Sequence, residues 1–174
     1  YGATPGQIDE VVKTGLENWF VKQLEGNLDD DNLKKRLKEY DALNLSNEEV
    51  LKEFPRPPRV LQEAIKEGVI NKDSVKNLDN GGGNRQQLQK GYRPQQELFR
   101  QTANQKLLRA AYSNNQLREV LTDFWFNHFN VSVTKNDCAP FIPAYERDVI
   151  RPNVTGKFYN MLLATAHSPA MLYY

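Results

Sequence analysis

The chain has 174 residues, 39% hydrophobic and 26% charged, with 23 Lys and Arg against 22 Asp and Glu for a formal net charge of +1. That length suits one buried core, and no run approaches the roughly 18 apolar residues of a membrane helix. The even balance also lacks the basic excess usual in nucleic-acid-binding domains, so neither a transmembrane segment nor a nucleic-acid partner is expected.

Thr4-Pro-Gly-Gln7 matches a capping box with proline at the first helical position. Ile8, Val11 and Val12 follow at helical spacing, Gly15 breaks the pattern, and Leu16, Trp19, Phe20 and Leu24 begin a second stripe that Gly26 ends. Two short helices joined at Gly15 are expected. Asp29, Asp30 and Asp31 stand before Leu33, Leu37 and Tyr40, with Lys34, Lys35, Arg36 and Lys38 further along. That order suits the helix dipole and reads as a solvated face. Ser46 and Glu49 make a second capping box, and Pro55, Pro57 and Pro58 stop its helix. Val60, Leu61, Ala64 and Ile65 mark one more amphipathic turn set.

From Asn71 to Tyr92 the pattern fails, and Asn80-Gly-Gly-Gly-Asn84 predicts a flexible loop over 71–92. It lacks the Gly-Lys-Ser/Thr ending of a phosphate-cradling loop. Charge divides here. Residues 1–80 carry 12 basic and 16 acidic side chains, a net of −4, and residues 81–174 carry 11 and 6, a net of +5. The asymmetry would help the two halves associate, or mark a face for an acidic partner.

Pro94 opens the longest helical candidate, reaching about Tyr112, with Leu98, Leu107, Leu108 and Ala111 as its apolar set. Ser113-Asn-Asn-Gln116 is a third capping box before a helix bearing Leu117, Val120, Leu121, Phe124, Trp125 and His128. Residues 136–143 read as a loop, 144–150 as a short helix stopped by Pro152, and Phe158 to Ala166 as the last complete helix. Ser168-Pro169 then begins another. The fold expected is all-α: an irregular multi-helix domain over 1–174 with a long Gly/Asn-rich loop, as a single domain or the N-terminal part of a larger protein. No targeting segment is expected in the chain, which starts at Tyr1. The single cysteine, Cys138, allows no internal disulfide.

The run Arg118-Glu-Val-Leu-Thr-Asp-Phe-Trp-Phe-Asn-His-Phe-Asn-Val131 resembles the signature of a bacterial family known as domain of unknown function 1800. Tyr145-Glu-Arg-Asp-Val-Ile-Arg-Pro152, then Gly156, Phe158 and Leu162-Leu-Ala-Thr-Ala-His-Ser-Pro-Ala-Met-Leu172, resemble its second block. The opening with Gly15, Trp19, Gln23 and Leu24 fits its N-terminal pattern. The resemblance implies an exported, extracytoplasmic protein of several hundred residues, a second exported protein as partner, and further blocks beyond Tyr174. It brings no established reaction and names no cofactor. Many members carry histidine where this chain has Asn153.

His128 sits four residues after Phe124 and eleven after Leu117, on the helix's apolar side. It reads either as a core histidine satisfied by a carbonyl or carboxylate, or as a metal ligand or general acid/base. Glu146, Arg147, Asp148 and Arg151 form a compact charged cluster, with Asp148 and Arg151 at i,i+3. A site would use His128, with Glu146 and Asp148 in support, and His167 is the one other histidine for a metal. Phe124, Trp125, Phe126 and Phe129 read as core or as a ligand platform. Two functions are therefore expected as alternatives. One is a helical scaffold that binds the remainder of the same polypeptide or a second exported protein. The other is an exported hydrolase with a site around His128.

Overall fold

The structure, a computed structural model, describes residues 3–68, 92–133 and 138–174. A reciprocal capping box opens α1 (Pro5–Thr14): the Thr4 hydroxyl accepts from the Gln7 amide and the Gln7 side chain accepts from the Thr4 amide. Gly15, at φ +86°, separates α1 from α2 (Leu16–Glu25), and Gly26, at φ +62°, ends α2 in the left-handed conformation that favours glycine. Next come α3 (Asp31–Leu37), a 3-10 turn at Asp41–Asn44 and α4 (Asn47–Glu53), which starts on the expected Ser46–Glu49 box. α5 (Pro57–Lys66) begins on a proline. The loop expected over 71–92 lies, but for Tyr92, outside the described residues.

α6 (Gln95–Tyr112) and α7 (Gln116–His128) form the centre. The third expected capping box does not form. Ser113 donates instead to Asp30 Oδ2 at 2.8 Å, and α7 begins two residues later than that box requires. Its first turn is capped from another helix: Gln23 of α2 accepts from the Leu117 amide at 3.1 Å and donates to the Asn114 carbonyl at 2.8 Å. Asn115 likewise bonds both backbone groups of Leu28 and Asp30 Oδ2. These buried amides fasten the α2–α3 connection to the α6–α7 turn.

The loop expected over 136–143 is helical from 139. The chain runs through a 3-10 turn (Ala139–Phe141), α8 (Ile142–Ala144), a π turn (Tyr145–Ile150) and a second 3-10 turn (Arg151–Asn153). Pro140, Pro143 and Pro152 fit because each lies at the start of a short turn, where its missing N–H is not needed. α9 (Phe158–Ala166) and α10 (Pro169–Leu172) complete the described chain. Among the described residues there is no strand, so the domain is all-α. None of the described helices is long and apolar enough to cross a membrane.

The main core gathers Phe126, Tyr145, Ile142, Ile150 and Met161 around the 139–153 run. A smaller one joins Ala42, Val50, Phe54 and Leu98. Beside the smaller core, Arg93 grips Asp41 with two bonds of 2.7 and 2.9 Å and reaches Glu53 at 3.3 Å. Arg93 holds the Asp41 carboxyl well below the usual carboxylate range, helped by Gln101. Arg100, with Gln101, brings Glu97 down to about 2. Depressed carboxylates stabilise the fold above their unfolded pKa and lose that contribution as pH falls through the folded one. The melting temperature is therefore expected to drop as pH falls from about 4.5 toward about 2. An Asp41→Asn, Glu97→Gln double variant should flatten that slope in a pH series of thermal melts. An unchanged slope would show that these pairs do not govern acid unfolding.

Candidate functional site

The most polar part of the interior lies where α6, α7 and the π turn meet. Arg151 donates from Nη1 to both oxygens of Glu119 at 2.7 and 2.8 Å, and from Nη2 to Glu146 Oε1 at 2.9 Å. Both glutamates are buried. Burial opposes the charge on Arg151, but Glu119 and Glu146 more than offset it and hold the guanidinium above its ordinary pKa. Lys106 stands 3.5 Å from Glu146 Oε2 and from Asp123, with its ammonium 3.7 Å from the Phe126 ring centroid. Glu146 Oε2 makes no hydrogen bond, so Lys106 meets it as a charge contact only.

The π turn makes this arrangement possible. Its backbone closes from the Arg151 amide to the Glu146 carbonyl, five residues back, and the two side chains bridge the same interval. An α-helix would bring residues three and four apart together instead. The expected Asp148–Arg151 pair accordingly does not form. Asp148 is exposed and takes Arg147 Nε and Nη2, each at 2.6 Å.

His128 lies elsewhere. It is exposed at the end of α7, with the rings of Phe124, Trp125 and Phe129 around it. The three proposed catalytic residues are thus not brought together: no hydrogen bond or ion pair joins His128, Glu146 and Asp148 among the described residues. Nor do any three His, Cys, Asp or Glu side chains there group so as to hold a metal ion. The rotation of α7 explains the placement. Glu119, Thr122 and Phe126 face inward because Glu119 must meet Arg151, and the Val120–Phe124–His128 edge turns to solvent. Trp125 and Phe129 stay half-buried against Phe158 of α9.

Sequence reading did not find Glu119, Lys106 and Arg109 as members of this cluster. The available signal is the polar row Gln101, Gln105 and Arg109 on α6, recurring every four residues. Gln101 and Gln105 are buried, while Leu107 is exposed.

Between α3, α6 and the π turn lies a cavity of about 220 Å3. Lys34 and Lys38 line one wall, Arg109 and Gln105 another, and Glu146, Arg147 and Arg151 the floor and rim. Burial, and then the neighbouring charge of Arg151, push the Arg109 guanidinium below its ordinary pKa. A family model described as "Protein of unknown function (DUF1800)" matches residues 1–174. No curated protein and no solved structure matches the chain.

Proposed function

We propose that this chain, which belongs to the DUF1800 family over its whole length, acts as a helical scaffold that packs its outer faces against another protein surface. One observation carries the reading: several helices turn polar residues inward and large apolar residues outward. On α2, Gln23 is 3% exposed while Leu16 and Phe20 are 67% and 45% exposed. On α7, Glu119 is buried and Phe124 is 55% exposed. α9 adds exposed Phe158, Tyr159, Leu162 and Leu163. Isolated exposed apolar residues are ordinary, but neighbouring rows of them mark interaction surfaces. The partner is the remainder of a longer polypeptide or a second exported protein, which also places the chain outside the cytoplasm.

The isolated chain should bind a hydrophobic dye and self-associate in sedimentation. Replacing Phe20, Phe124 and Phe158 with glutamate should reduce both by at least about fivefold. The Phe20 substitution should cost the chain itself roughly 0.5 kcal/mol or less, as exposed sites do, and those at Phe124 and Phe158 about 0.5–1.5 kcal/mol more for their ring contacts with Trp125 and Phe129. A monodisperse, dye-silent parent chain would refute the scaffold reading.

A further inference from the structure

The cavity between α3, α6 and the π turn is lined by five cationic side chains and one carboxylate. Lys34 is held by Asp31 at 2.9 Å. Arg147 spends its donors on Asp148 and on the Leu43 and Leu45 carbonyls. Arg151 commits Nη1 to Glu119 and Nη2 to Glu146.

Two cations remain. Arg109 gives one N–H to Gln105 Oε1 at 3.3 Å, and its Nη1 comes no closer to Glu119 than 3.9 Å. Its two terminal nitrogens therefore hold unspent donors on a side chain three-quarters withdrawn from water. Lys38, on the opposite wall, has no carboxylate within ion-pair distance among the described residues. A guanidinium that is desolvated, set beside another guanidinium and left without hydrogen bonds on its fork is costly in an empty site. The same fork is suited to a tetrahedral or planar oxyanion.

We propose that this cavity binds a dianionic oxyanion of the phosphate class, with the Arg109 fork as its main anchor and Lys38 as the second charge. Arg109, which meets Glu119 only at 3.9 Å, and Lys38 together favour two negative charges over one. The cavity falls below the size usual for larger ligands, so the anion is inorganic phosphate or the phosphate of a small molecule. Arg151 has a different part. Its Nη1 and Nη2 face protein carboxylates, and it draws Glu119 and Glu146 closer to itself than to Arg109.

The test is thermal unfolding of the whole chain against phosphate, glycerol phosphate and acetate, at ionic strength held constant with chloride. Ligand that binds only the folded state raises the melting temperature by an amount that grows with the logarithm of its concentration over its Kd. Phosphate or glycerol phosphate should raise it with at least tenfold higher apparent affinity than acetate. The stronger of the two identifies a free or an organic phosphate. Arg109→Gln should weaken that response at least tenfold while melting no lower than the parent without ligand, because the charge it removes is desolvated and meets Glu119 only at 3.9 Å. Should Arg109→Gln melt lower than the parent, the idea that Arg109 is weakly matched is wrong. The exposed Lys38→Gln then reads the site independently and should weaken the response several-fold. A parent chain that answers phosphate no more than chloride, or an undiminished response in both variants, overturns the proposal.

Discussion

Replacing Arg151 with methionine should lower the unfolding free energy by about 3–5 kcal/mol, the usual cost of breaking a buried ion pair by removing one partner. The size follows from what the guanidinium holds. Three contacts of 2.7 to 2.9 Å join it to Glu119 and Glu146, whose side chains are 5% and 2% exposed. After its removal the cations left beside them stand further off, Arg109 at 3.9 Å from Glu119 and Lys106 at 3.5 Å from Glu146, which also accepts from Gln105 at 3.5 Å. Two carboxylates then sit in the interior with too few donors. Adding Glu146→Gln to the Arg151→Met background should restore part of the loss, since one uncompensated charge disappears. A double-mutant cycle in urea measures this coupling directly. A loss below about 1 kcal/mol for Arg151→Met would mean that the glutamates do not depend on it.

Tyr145→Ala should cost about 3–5 kcal/mol, in the range of large aromatic truncations. The ring is among the largest fully buried side chains and lies 6.1 Å, centroid to centroid, from Phe126. Its hydroxyl donates to the Phe129 carbonyl at 2.9 Å, just past the end of α7. Truncation therefore opens a cavity in the main core and also leaves a carbonyl unpaired. Tyr145→Phe isolates the second effect and should cost about 1–2 kcal/mol. Burial pushes the Tyr145 hydroxyl up to about 12 from an ordinary 10.0. A group raised in this way stabilises the fold fully below its unfolded value and loses that contribution as pH climbs through the folded one. Stability should thus fall between about pH 10 and pH 12, and Tyr145→Phe should remove that part of the alkaline slope. An alkaline melt identical in the two proteins would assign the loss to other groups.

The beginnings and ends of helices were legible where local chemistry decides them. Thr4 with Gln7, Ser46 with Glu49, and the breaks at Gly15 and Gly26 each act within one turn, and each forms as the sequence predicts. Ser113 shows the limit. Its neighbours spell a capping box, but Asp30, far away in sequence, takes its hydroxyl. Helix rotation was less legible. Hydrophobic periodicity turns Val120, Phe124 and His128 inward, whereas the pairing of Glu119 with Arg151 turns them out. That partner lies 32 residues away, beyond the reach of any helical window. The sequence reading did recognise Glu146 and Arg151 as neighbours in one cluster. It paired Arg151 with the wrong acid because it assumed an α turn.

That wide turn has a consequence for how the segment can vary in length. Between Glu146 and Arg151 the chain counts residues as well as choosing them. Dropping one would let the backbone revert to ordinary α-helical winding, in which each residue advances about 100°. The arginine would then stand four residues after Glu146, the interval that an α-helix itself brings together, so that pair would outlast the wide turn. The spacer is a ruler that can lose a residue and still match acid to arginine, whereas a single-codon insertion, which sets them six apart, would part them.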